Sequence, residues 1–112
     1  MRSHGAVASK VLGNSTVQAV LEDLDSAPIA APLKATLAFL AKVTRDHEHV
    51  TADDVRALAA HGLTRAHIED ALLVGFAFNV ITRLADTFEF HCGPEAAFDA
   101  SARRLLSHGY RT

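Results

Sequence analysis

Residues 68–90 read IEDALLVGFAFNVITRLADTFEF, and the run Ala71 to Phe78 has no polar side chain. Polar groups then return at Asn79, Thr82, Arg83, Asp86 and Glu89. Their spacings of three and four place them on one helical face. A helix that is apolar all round over its first half is expected to be buried on every side. A polar stripe on such a helix is costly unless each group finds a partner. The stripe therefore reads either as a buried structural network or as the wall of a site.

Helical signals extend outward from this segment in both directions. His4 to Leu12 reads as a short helix stopped by Gly13. Asn14 or Ser15 is then expected to cap a second helix through Leu24. Two prolines among small residues make Asp25 to Pro32 a connection, after which Leu33, Leu37, Leu40 and Ala41 form an apolar stripe. Arg45 to Val50 is a polar loop. Thr51 with Asp54 is a capping-box variant opening a helix that Gly62 closes, and Thr64 caps the long helix, about 65–91. Gly93 and Pro94 restart the chain for a last helix to His108. No strand alternation or internal repeat is present, so the expected fold is all-α, a single domain over 1–112 built as a compact bundle of five to six helices.

Composition narrows the function classes. A length of 112 residues allows one domain, with 49 % hydrophobic and 21 % charged residues and a net charge of -2. That charge offers no attraction to nucleic acid or an anionic membrane. Asn79 and Arg83 interrupt the apolar run well short of the roughly 18 residues a membrane span needs. No signal-peptide pattern is present. One cysteine makes no internal disulfide and suits a reducing cytoplasm. The helix, Gly62 turn and following helix look like a helix-turn-helix, but the second helix offers acidic and apolar side chains where a DNA reader needs basic and polar ones.

Candidate chemistry is sparse. His47, Glu48 and His49 cluster in a loop but lack the spacing of a metal-binding helix, so neither metal nor cofactor is expected. Cys92, beside His91, is a candidate free thiol without an orienting third group. Asn79, Arg83 and Asp86 are adjacent on the long helix. Arg83 is expected either to pair with Asp86 or to cap a neighbouring helix's carbonyls, or else to line a pocket. Gly75, one turn earlier, suits close approach of another helix.

The order Val50-Thr51-x-Asp53-Asp54-Val55, Leu58, Gly62-Leu63-Thr64, Ile68-Glu69-Asp70-Ala71, Phe78-Asn79 and Arg83-Leu84-Ala85-Asp86 resembles the alkylhydroperoxidase D-like, or carboxymuconolactone decarboxylase, superfamily. The peroxidase-related branch is the most similar. The resemblance implies an all-helical fold, association into dimers, trimers or hexamers, and in redox-active members a Cys-x-x-Cys-x-x-x-His motif. His4 to Gly13 is similar to the family segment that starts at the motif histidine. With His4 in that role, the second cysteine would fall just before Met1. A longer product carrying the pair and a lineage without it both fit.

Peroxide reduction by that route needs one thiolate to attack and a second to resolve the sulfenic acid. These 112 residues hold no such pair. The resemblance thus implies an antioxidant-family protein without thiol peroxidase activity in this form, and a dithiol reductant as partner only for a form that carries the cysteines. Two alternatives remain: a non-catalytic helical oligomer binding a partner or small apolar ligand, and a cysteine-independent, lactone decarboxylase-like enzyme. A homo-oligomer is expected in any case, because so few helices must cover a helix apolar on several faces.

Overall fold

The structure, a computed structural model, describes residues 2–91 and 93–110. Among these the chain is all-α. It comprises α1 (Arg2–Leu12), α2 (Asn14–Glu22), α3 (Ala31–Arg45), a 3-10 turn (His47–His49), α4 (Ala52–Ala60), α5 (Arg65–Thr87) and α6 (Glu95–His108). Two units form: residues 1–28 with 89–112, and residues 29–88.

In the first unit α1 packs against α2 and α6. Among its described residues Ala27 and Ala102 are buried. The Lys10 ammonium meets Asp99 Oδ1 at 2.5 Å, and Arg103 pairs with the same carboxylate from one turn away. The hydrogen bond from Lys10 is the main reason the Asp99 carboxyl stays ionised to lower pH than an ordinary aspartate. The N-cap of α2 is Gly13, at φ 88, with no side-chain hydrogen bond, so the expected cap at Asn14 or Ser15 is not used. Asn14 Oδ1 accepts instead from Ser9 Oγ. The helix also ends earlier than Leu24. Asp23 takes an extended conformation, and its carboxylate accepts from the Asp25 backbone and the Ser26 hydroxyl, closing a turn that competes with further helix.

The second unit is built by local signals at nearly every boundary. Pro32 sits in the first turn of α3, where its missing N–H costs nothing. The Thr51 backbone N–H donates to Asp54 Oδ2 at 2.8 Å, the reciprocal bond of the capping box. Lys42 of α3 reaches both oxygens of that carboxylate at 2.8 Å, tying α3 to the start of α4. These bonds, that from Lys42 first, hold the Asp54 carboxyl below its ordinary pKa. Gly62, at φ 80, turns the chain in a conformation that costs an L side chain about 1 kcal/mol or more. Thr64 Oγ1 then accepts from the His67 backbone N–H and starts α5. Phe39, Leu58 and Ile68 form the core of this unit, with Ala35, Val43, Val50 and Leu63 packed on it.

Two features of α5 differ from the sequence expectation. It stops at Thr87 rather than near 91, because Phe88 leaves the helical conformation and Glu89 sits at φ 49. More consequentially, it is not covered all round. It rests on α3 along the face that carries Ile68, Gly75 and Asn79. The opposite face leaves Leu73 65 % exposed, with Val74, Val80, Ile81 and Leu84 exposed beside it, and Phe76, 68 % exposed, stands at its edge toward α3. Periodicity reports which side chains are apolar, not whether a neighbour exists to cover them. No helix among the described residues is long and apolar enough to cross a membrane.

Candidate functional site

The polar stripe begins where α3 and α5 come closest. A Cβ built on Gly75 would lie 3.2 Å from Leu40 Cδ2, so glycine here lets the two helices pack tightly. One turn later the contact becomes polar. Asn79 Nδ2 donates to the Gly75 carbonyl at 2.9 Å and to Thr44 Oγ1 of α3 at 3.4 Å. Thr44 in turn donates to the Leu40 carbonyl at 2.8 Å, which leaves its oxygen ready to accept from Asn79. Arg83 Nη1 donates to the Asn79 carbonyl at 2.9 Å and to Asn79 Oδ1 at 3.0 Å. The amide of half-buried Asn79 is thereby satisfied on both sides, and the donors run in one sense from Arg83 through Asn79 and Thr44 to Leu40.

Arg83 thus caps a carbonyl of its own helix rather than one of a neighbour. Asp86, one turn further, is exposed and lies outside the chain of bonds. The guanidinium uses one nitrogen for Asn79; its Nε and Nη2 make no hydrogen bond among the described residues.

This network forms one wall of a cleft of about 430 Å³ between α3 and α5. Leu40, Val43, Leu72 and Phe76 supply apolar surface, and Thr44, His47, Asn79 and Arg83 supply the polar groups. Among the described residues Arg83 is the one permanently charged group lining it, and none of its described lining residues is a carboxylate. The volume lies within the usual range for small-ligand sites. The sequence points to Asn79 and Arg83 as a candidate site wall; it marks Leu40 only as part of the α3 stripe and His47 only as part of a loop cluster, and it does not mark Val43 or Thr44. Thr44 carried a signal, since it lies one turn beyond Leu40 on the α3 stripe.

The remaining candidates lie elsewhere. His4, in the first unit, places Nε2 3.0 Å from the Tyr110 hydroxyl. Cys92 falls outside the described residues. The histidine loop is a 3-10 turn in which His49 Nδ1 meets Asp46 Oδ1. A larger cavity of about 690 Å³ in the first unit is lined by Lys10, Asn14, Gln18, Phe98 and Asp99 among others. Its lysine and aspartate already neutralise each other, so it offers a ligand little charge to recognise.

The arrangement around Arg83 can hold and orient an anion, and among the described residues lining it no nucleophile and base are assembled. Comparisons of the chain with family models, with curated proteins and with solved structures gave no match.

Proposed function

We propose that the chain is a homo-oligomeric helical binding protein on the alkylhydroperoxidase D-like plan, paired through the outer face of α5 and without thiol peroxidase activity of its own. The observation that carries this reading is the bare seam Leu73, Ala77, Val80 and Leu84. Their spacings of four, three and four are those of the alternating core positions of a helix pair. Phe76 flanks the seam on one side, and Val74 and Ile81 on the other.

Area and charge favour a second copy as the partner. At roughly 150–220 Å² for each fully exposed residue of this kind, the six larger side chains leave on the order of 600 Å² bare. Two such faces bury about 1,200 Å², the lower edge of the range for stable complexes. No ionised side chain lies on α5 between Asp70 and Arg83, so the face has no charge to match against a different protein. In an antiparallel pair Leu73 meets Leu84 of the other copy and Ala77 meets Val80. Large residues then face each other at the ends, and the small one lets the backbones approach at the centre.

Support for the family plan is the residue order from Val50 to Asp86. One cysteine supplies no internal dithiol and suits a reducing cytoplasm. The test is sedimentation equilibrium of the 112-residue chain, together with hydroperoxide turnover measured with a dithiol donor. A self-associating species without turnover is expected. A monomer at about 50 µM, where a pair with a dissociation constant of about 1 µM is mostly assembled, overturns the assembly, and turnover that Cys92→Ser abolishes overturns the absence of thiol chemistry.

A further inference from the structure

We infer that the α3–α5 cleft binds a small amphipathic carboxylate, with its acid group on Arg83 and its hydrocarbon along Leu40, Val43, Leu72 and Phe76. This rests on reading the chain as a binding protein, but not on the α5 seam.

Three observations lead to that ligand class. Among the described residues the cleft is lined by one permanent cation and no anion, so a negative group is favoured there and a positive one is not. The guanidinium is already oriented. Its two bonds from Nη1 to Asn79 fix it on the helix, while Nε and Nη2 form the edge that matches the two oxygens of a carboxylate. Because Asn79 is itself held by Gly75 and Thr44, little rotamer freedom is left to lose on binding. The rest of the lining is largely aliphatic and aromatic, which a compact inorganic anion leaves uncovered and a hydrocarbon chain covers. A phosphate monoester with a polar body satisfies the charge but not this surface.

The probe is octanoate, titrated into isotopically labelled full chain and followed by amide chemical shifts, with octan-1-ol and inorganic phosphate as comparisons. Octanoate is expected to saturate and to shift Val43, Gly75, Asn79 and Arg83, with weaker binding of octanol and none of phosphate. Arg83→Gln, at an exposed position whose loss leaves the core intact, is expected to weaken octanoate about tenfold or more and leave octanol nearly unchanged.

Shifts confined to Leu73, Ala77 and Leu84 mean adsorption on the outer face of α5 and overturn the assignment. So do an unchanged octanoate affinity in Arg83→Gln and phosphate binding as strong as that of octanoate. Sedimentation of the same samples separates the two proposals, since a monomer that binds octanoate through Arg83 refutes the seam alone.

Discussion

Leu73→Ala is the sharpest test of the seam, because it separates assembly from folding. Leu73 is 65 % exposed in the single chain, so truncating it removes little from that chain's own core. Alanine is also the better helix former, which leaves α5 intact or slightly favoured. In the pair the same side chain is covered. Losing about two-thirds of a leucine's burial costs about 1.5 kcal/mol. A twofold interface contains the substitution twice, so the pair loses about 3 kcal/mol, or about 100-fold in dissociation constant.

Sedimentation equilibrium over a concentration series measures that shift directly. Urea unfolding at concentrations where the variant is monomeric supplies the control, and its midpoint is expected to match that of monomeric wild type. A change of less than about threefold in dissociation constant refutes the seam as drawn, since there Leu73 packs against Leu84 of the other copy and loses its whole exposed surface to that contact. A large fall in the monomer midpoint refutes the premise that this face is bare.

Three further substitutions test the second unit. Gly62→Ala, at φ 80, is expected to cost about 1 kcal/mol and lower the melting temperature by about 4–8 °C, measured by circular dichroism. Gly75→Ala is expected to raise the melting temperature by relieving a mid-helix glycine, because half-buried Leu40 can yield the few tenths of an ångström needed. The same change narrows the cleft and should weaken octanoate binding in the titration above. Asp54→Asn concerns acid stability. The folded-state pKa of Asp54 is depressed, so its contribution is present above the unfolded value and is lost as pH falls through the folded one. Unfolding followed from neutral pH down through the carboxylate range should show a shallower acid-side loss in the variant than in wild type.

Much of the secondary structure was legible because its determinants are local. Thr51 with Asp54, Gly62 and Thr64 act within three or four residues, and each does in the structure what its spacing implies. The exceptions are also local in origin. Asp23 bonds to Ser26 in a turn that ends α2 early, and Glu89 enters a left-handed conformation soon after α5. Neither has a strong sequence signal, since aspartate and glutamate occur in helices as well as turns.

The candidate site was half legible. Asn79 and Arg83 stand out as polar residues on an apolar helix, and their separation of four makes them neighbours in any helix. That Arg83 bonds to Asn79 rather than Asp86, and that Thr44 receives the other side of the amide, depends on how α3 lies against α5. His47 joins the cleft for the same reason.

The sequence by itself determined an all-helical chain, the main helix boundaries and the apolar character of α5, because capping, glycine conformations and periodicity are properties of a few adjacent residues. Only the tertiary structure decided which face of α5 is covered. Leu40 of α3 packs over Gly75 on one side, and the seam from Leu73 to Leu84 is left bare on the other. Coverage depends on the number and placement of neighbouring helices, and no local pattern of residues encodes it.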